Sequence, residues 1–138
     1  MRLILAGLLF LAGGALFSPA LAQDNAVDPI DATLSQCLEK PAADSTTGMV
    51  ACFNAARDAW EKEVVRAYSN LSATLDARSR GILRGTQKQW EAYKAAEQRF
   101  QQARWARDRG TMIAVTLASQ NADLFKNRAL TLRGYKAE

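Results

Sequence analysis

The sequence contains no histidine, and only two cysteines and three prolines among its 138 residues. Without histidine, a serine or cysteine nucleophile has no histidine base, and zinc sites of the HExxH type are excluded. Glu61 and Glu63 do not form a catalytic carboxylate pair, because residues two apart on a helix do not face each other. The chain also lacks a glycine-rich phosphate-binding loop. We therefore predict a protein that is not an enzyme and that uses no metal or cofactor.

Long apolar runs are also scarce, and the clearest one lies near the start of the chain. Arg2 precedes an apolar run at residues 3–17, and residues 20–22 (Ala-Leu-Ala) place small side chains at a cleavage site. The run is short for a bilayer span, and no later segment is as apolar. We predict that residues 1–22 are a signal peptide cleaved near Ala22, and that residues 23–138 form a single domain. That domain would be periplasmic or secreted, without a stable membrane anchor.

The two cysteines, Cys37 and Cys52, have fourteen residues between them. In an oxidising compartment such a pair is most simply a disulfide. Closing a loop of this size reduces the entropy of the unfolded chain by the equivalent of ~3 kcal/mol. A reactive thiol or a metal ligand is the alternative, but no histidine or third cysteine supports it.

The stretch from residue 47 to residue 76 predicts the central helix. Its apolar side chains recur at intervals of three and four, which places them on one face of an α-helix. Thr46 or Thr47 is predicted to cap the start of this helix. The stripe consists of Met49, Cys52, Phe53, Ala56, Trp60, Val64, Tyr68, Leu71 and Leu75.

Three further helices are predicted around the central one. The first begins with Asp28 as N-cap and Pro29 at the first helical position, and it ends before Pro41. The third runs from about residue 80, capped by Ser79, to residue 108, and the fourth from Thr111 to about residue 132. We therefore predict an all-α, four-helix antiparallel bundle-like domain whose N-terminal helical hairpin is stapled by the disulfide.

The inner face of the third helix is unusually polar for a face that packs in a core. We expect Gln87 on this face to be a buried amide with hydrogen-bond partners. At ~1.5 Å per residue the third helix could reach ~40 Å, so its end would project past the first hairpin and expose Trp105. The inner stripe of the fourth helix is predicted to be Ile113, Leu117, Gln120, Leu124, Arg128 and Leu132, supplemented by Met112 and Phe125.

Charge is unevenly distributed along the mature chain. Residues 23–63 carry a net charge of −5, and the residues from 64 onward carry +8. The asymmetry predicts two faces of different electrostatic potential. Export makes nucleic acid an unsuitable partner, so anionic envelope polymers or lipids are the alternative to a simple solvated face.

The order and spacing of several short motifs resemble the LprI-like lysozyme-inhibitor family over nearly all of the mature chain. Besides Cys37 and Cys52, the residues that carry the resemblance are Ala55, Ala56, Trp60, Glu61, Lys62, Glu63, Val64, Tyr68, Leu71, Leu83, Gln87, Trp90, Tyr93, Lys94, Gly110, Thr111, Leu124, Arg128 and Leu132. Three positions depart from the family's usual residues, because Glu61 stands in place of an Asp, Val65 in place of an Asn and Lys94 in place of an Arg. The family typically has a second cysteine pair, whose places are taken here by Gln98 and Gln120. The staple between the third and fourth helices would therefore be absent, and that end should be looser.

The resemblance implies a secreted helical module that binds a protein, with a lysozyme as the candidate partner. Animal lysozymes are cationic, so the acidic hairpin, including Asp58 and Glu61, is the predicted contact surface. An alternative is an immunity-type or envelope-binding protein that uses the basic half, including Arg104, Trp105 and Arg107, for a different partner. The sequence does not indicate the oligomeric state.

Overall fold

The computed structural model describes residues 26–135, which form five α-helices and one short 3₁₀ helix. In chain order these are α1 (Pro29–Leu38), the 3₁₀ helix (Pro41–Asp44), α2 (Thr46–Thr74), α3 (Ala77–Gln101), α4 (Arg104–Arg107) and α5 (Met112–Gly134). No strand occurs within residues 26–135. The predicted all-α fold with four long helices is confirmed. The predicted signal peptide, residues 1–22, lies outside the described residues.

The start of α1 agrees with the sequence, whereas α2 is capped by a different residue. Asp28 accepts a hydrogen bond from the Ile30 backbone N–H at 3.0 Å, with Pro29 at the first helical position. The cap of α2 is Ser45 rather than Thr46 or Thr47. The Ser45 Oγ accepts from the Gly48 N–H at 3.0 Å. The reason is that Ser45 has the extended backbone that a cap requires, and the next residue is already helical.

The turn between α2 and α3 also differs from the prediction. The cap of α3 is Asp76, not Ser79, because its carboxylate lies one turn earlier and accepts from the N–H groups of Arg78 and Ser79 at 2.8 and 3.0 Å. The Ser79 hydroxyl also donates to this carboxylate, at 2.6 Å, and this bond, followed by those from the backbone N–H groups, holds the pKa of Asp76 below its usual value. The guanidinium of Arg80 donates to the backbone oxygens of Ser72 and Leu75, which satisfies the end of α2.

The third helix is shorter than predicted. It ends at Gln101 instead of residue 108, and the chain continues through α4 and a turn in which Gly110 has a φ of +76°. The Trp105 Nε1 donates to the Phe100 carbonyl at 2.7 Å, and the two rings stack at 4.8 Å. These contacts turn the chain back and bury Ala106. The predicted long projection is therefore replaced by a compact corner.

The core lies mainly between α2 and α5, which form the most extensive helix–helix contact. Consecutive long helices run in opposite directions, so these two run in the same direction. The largest buried cluster also includes one residue of α3. Its members are Trp60, Val64, Ala67, Leu71, Leu83, Phe125, Ala129 and Leu132.

The buried stripe of α5 is rotated from the predicted one. Gln120 is exposed, Arg128 is half-buried, and Leu117 and Leu124 flank the contact. The residues that face α2 are mostly small, because small side chains allow two helix axes to approach closely. The buried residues of α5 are Val115, Ala118, Ala122, Phe125, Ala129 and Leu132.

The N-terminal hairpin is joined by the predicted Cys37–Cys52 disulfide, whose Cα atoms are 5.7 Å apart. The bond links the end of α1 to the start of α2. The 3₁₀ helix lies directly against the first turn of α2, where a Cβ on Gly48 would stand 1.7 Å from the Ala42 carbonyl oxygen. Only glycine allows this close approach.

Candidate binding cleft between α2 and α3

A surface cavity of about 130 Å³ opens between α2 and α3, and α5 contributes to its wall. We call it the α2–α3 cleft. Six of its lining residues belong to the motifs that carry the family resemblance. The lining residues are Glu61, Val64, Val65, Tyr68, Gln87, Trp90, Glu91, Lys94 and Phe125.

A chain of hydrogen bonds runs along the α3 side of the cleft. The Nε and Nη2 groups of Arg128 donate to Gln87 Oε1 at 3.0 and 2.8 Å. Gln87 Nε2 donates in turn to Glu91, which forms an ion pair with Lys94. Gln87 is half-buried, as expected for an amide with partners. Burial lowers the pKa of the Arg128 guanidinium, but arginine remains charged at any physiological pH.

Aromatic rings and one cation form the base of the cleft. Trp90 meets Phe125 edge to face, with ring centroids 5.6 Å apart. The Lys94 Nζ lies 5.0 Å from the Trp90 centroid and 5.1 Å from that of Phe125, within the range of cation–π attraction. Glu61 is exposed on the α2 side. The cleft therefore combines an apolar base with charged groups that water can reach.

Other motif residues serve the scaffold or the outer surface. Trp60, Leu71 and Leu132 are buried in the core. Gly110 supplies the left-handed backbone before α5. Tyr93 is 55% exposed and does not line the cleft.

A second polar cluster joins α1, α2 and α5, and sequence reasoning missed it. Arg133 donates to Glu63 Oε1 at 2.6 Å and also forms an ion pair with Asp28. Lys126 pairs with Asp31 at 2.6 Å. We call these five residues the ion cluster. Each acid in it is 70 to 105 residues away in the chain from the base that it pairs with, so no local pattern could reveal it.

The ion cluster surrounds the most buried aromatic residue. Trp60 is 1% exposed, and its ring centroid lies 5.4 Å from the guanidinium carbon of Arg133 and 5.9 Å from the Lys126 Nζ. Burial raises the pKa of Glu63, but hydrogen bonds from Arg133 and Arg66 outweigh it, so the pKa lies below its usual value. The same balance of burial against Arg133 lowers the pKa of Asp28.

The ion cluster also changes the expected charge pattern. Three acidic residues of the N-terminal segment, Asp28, Asp31 and Glu63, are paired with bases of α5. Asp58 pairs with its neighbour Arg57 at 2.6 Å. The separation of charge along the sequence is therefore not a simple separation into two faces of the molecule.

The basic residues predicted as an alternative site lie away from the cleft. Arg104 and Arg107 are exposed on α4, beyond the end of α3. Trp105 is half-buried beneath Phe100, and its Nε1 is already hydrogen-bonded. Gln98 is half-buried and Gln120 exposed. A nearby hydrogen bond between Asn121 and Gln101, at 2.7 Å, ties α3 to α5.

Two kinds of feature are not found within residues 26–135. No group of three or more cysteine, aspartate or glutamate residues there could hold a metal ion. No helix in that part of the chain combines the length and apolar character needed to cross a bilayer.

Comparison with known proteins supports the resemblance. The family model described as lysozyme inhibitor LprI matches residues 37–132. A crystal structure of an uncharacterized protein from Burkholderia thailandensis is similar, with a TM-score of 0.74 and 35% sequence identity. The match covers 79% of this chain and 53% of the other, so the chain spans about half the length of that protein. No curated protein sequence matches significantly.

Proposed function

Because the chain belongs to the LprI lysozyme-inhibitor family, we propose that it is an exported, non-enzymatic protein-binding module whose partner is a lysozyme. The family is described by the lysozyme inhibition of LprI, which supports a binding role rather than catalysis. Residues 1–22 would direct export of this chain and would be removed by cleavage near Ala22.

One observation carries the choice of contact surface. Motif residues from both walls of the α2–α3 cleft, namely Glu61 and Tyr68 on α2 and Gln87, Trp90 and Lys94 on α3, meet at one open cavity. Core packing does not by itself explain this charged, hydrogen-bonded network, because burying such groups lowers the free energy of unfolding unless all of them are paired. The arrangement is suited to accept one protruding side chain of a partner.

The charges at this edge favour a cationic partner. Glu61 and Asp58 are both exposed and stand one turn apart on α2, so they share an edge of the helix. Asp58 is already ion-paired with Arg57, so Glu61 is the carboxylate of this edge that has no ion pair among the described residues. The full chain has a net charge of +4, so it offers no long-range attraction to a basic protein. Complementarity would be local, and the rim carboxylates would govern the association rate and its salt dependence.

The direct test is a titration of an animal lysozyme with the purified mature chain. We expect muramidase activity to fall in proportion to the inhibitor added, up to a fixed molar ratio. Full activity at a large molar excess of the chain would contradict the proposal.

A variant pair tests the contact surface. Glu61→Gln removes a carboxylate at the cleft, and we expect affinity for lysozyme to fall several-fold through a slower association rate. Asp123→Asn is the matched control, because Asp123 is an exposed carboxylate on α5 that does not line the cleft. Equal effects of the two changes would mean that the cleft is not the contact surface. Thermal unfolding should be nearly unchanged in both variants.

A further inference from the structure

The corner between α3 and α5 exposes apolar side chains that the proposed contact does not use. Phe100 at the end of α3 is 59% exposed, and Met112 at the start of α5 is 56% exposed. The Trp105 ring stacks on the Phe100 ring at 4.8 Å. Phe100 therefore remains largely exposed although one face of its ring is in contact with Trp105.

The same corner is strongly basic. Arg99, Arg104, Arg107 and Arg109 are all exposed, and Asp108 is the one acidic residue between positions 99 and 112. Arg104 has a side chain that is 90% exposed, and its contact with Asp108 is long, at 3.8 Å. Among the described residues, none pairs with Arg99, Arg107 or Arg109. We call residues 99–112 the basic corner.

The basic corner is built into the fold rather than being a frayed end. Trp105 donates to the Phe100 carbonyl, and Ala106 is buried beneath the corner. The Arg109 guanidinium carbon lies 5.3 Å from the Trp105 ring centroid, which holds one cation beside the aromatic pair. The Gln101–Asn121 hydrogen bond fixes the last turn of α3 against α5.

We propose that the basic corner binds the surface of an anionic phospholipid membrane, peripherally and reversibly. Arginine recognises phosphate oxygens through its planar array of donors, and each basic residue near such a surface contributes about fivefold in affinity. Phe100 and Met112 would enter the boundary between headgroups and acyl chains, where exposed apolar side chains leave water. A soluble phosphate would bind the arginines but would leave the apolar side chains in water.

This proposal is independent of lysozyme inhibition, because the basic corner lies beyond the α2–α3 cleft. If both hold, the cleft remains free while the C-terminal end of α3, past Lys94, rests on the membrane. We favour a phospholipid surface over an acidic protein as the partner, because phospholipid offers phosphate groups to the arginines and an apolar layer to Phe100 and Met112.

The test is co-sedimentation of the purified mature chain with vesicles. One set contains equal parts of phosphatidylglycerol and phosphatidylcholine, and the other contains phosphatidylcholine alone. We expect binding to the first set at physiological salt and little to the second. The double variant Arg104→Glu/Arg107→Glu should bind at least about tenfold more weakly. Phe100→Ala should weaken binding by a smaller factor than the double variant does. That factor should be the same at high salt, because the contribution of Phe100 is apolar and salt does not screen it.

A matched control separates the basic corner from net charge. Arg84→Glu/Lys88→Glu reverses two exposed charges on α3 away from the corner, and it should reduce binding much less. Equal loss in both double variants, equal binding to both vesicle sets, or full competition by millimolar inorganic phosphate would overturn the proposal. So would an unaltered affinity of Phe100→Ala, or retention by an acidic protein with none by vesicles.

Discussion

The two longest helices, α2 and α3, are joined by a tight turn and have similar lengths of 29 and 25 residues, yet they are held in different ways. Seven residues of α2 are buried, whereas Leu83 is the one buried residue of α3. The stability of α2 comes from a continuous packed face. That of α3 comes from a few separate attachments.

Each attachment of α3 can be identified. Leu83 joins the core, Trp90 rests on Phe125, and Gln87 accepts from Arg128. The hydrogen bond between its last residue and α5 completes the set. The α2–α3 cleft lies between the rigid helix and the loosely held one. A partner could therefore widen the cleft by moving α3 while the α2–α5 core remains intact.

The largest difference should appear between two tryptophans. Trp60→Ala is expected to lower the free energy of unfolding by about 4 kcal/mol, because it empties the centre of the core. Trp90→Ala should cost about 2 kcal/mol, because part of that ring is already in water. Urea denaturation followed by circular dichroism measures both. Equal losses would contradict the contrast between α2 and α3.

A glutamate pair sharpens the comparison. Glu63 is buried and bonded to two arginines, so Glu63→Gln should cost about 3 kcal/mol by leaving Arg133 incompletely paired. Glu91 is exposed, whereas its partner Lys94 is only 16% exposed, so Glu91→Gln should cost less than about 1 kcal/mol. Chemical denaturation of both variants at neutral pH provides the measurement.

The ion cluster also predicts a dependence on pH. The folded pKa values of Asp28 and Glu63 lie below their usual values, because hydrogen bonds from Arg133 outweigh the effect of burial. Their contribution is present above the pKa values of the unfolded chain, near about 4, and is lost as the pH falls through the folded values. The melting temperature should therefore drop on acidification below about pH 4. Glu63→Gln should show a smaller drop, and an unchanged one would argue against the ion cluster.

The same substitution at two glycines should act in opposite directions. Gly48→Ala places a methyl group against the backbone of the 3₁₀ helix and should cost about 2 kcal/mol through displacement of that segment. Gly85 on α3 has no atom within 4 Å of an added Cβ. Gly85→Ala should therefore stabilise by about 0.5–1 kcal/mol, because alanine favours the helix more than glycine does. Thermal denaturation of both variants tests the signs, and a stabilised Gly48→Ala would be inconsistent with the close approach.

The sequence was sufficient to predict the four long helices, because apolar periodicity and capping residues are local signals. It was insufficient for the buried face of α5. Apolar periodicity predicts that Leu117 and Leu124 are buried. In the structure Ala118 and Ala122 are buried instead, because α2 approaches α5 closely there. Side-chain size at a contact depends on the distance between helices, which no single helix encodes.

The cleft could be anticipated only in part. The resemblance identifies Gln87, Trp90 and Arg128 as residues of interest. Their proximity to Glu61 depends on how the helices pack, which the sequence does not show. The ion cluster was missed because its partners are too far apart in the chain for any helical spacing rule. The end of α3 was misplaced because the Phe100–Trp105 contact stops the helix without a proline or glycine.

A further variant, with a small expected effect on stability, tests whether α3 can move alone. Gln87→Ala leaves the half-buried Arg128 with one fewer partner and should cost about 1 kcal/mol overall. Hydrogen exchange should quicken along α3 and remain unchanged in α2 and α5, because α3 is held by separate attachments. Gln89→Ala, at an exposed position on the same helix, is the control and should leave exchange unchanged. Faster exchange throughout α2 and α5 would mean that α3 unfolds only with the core, and the cleft could then not open by movement of one wall.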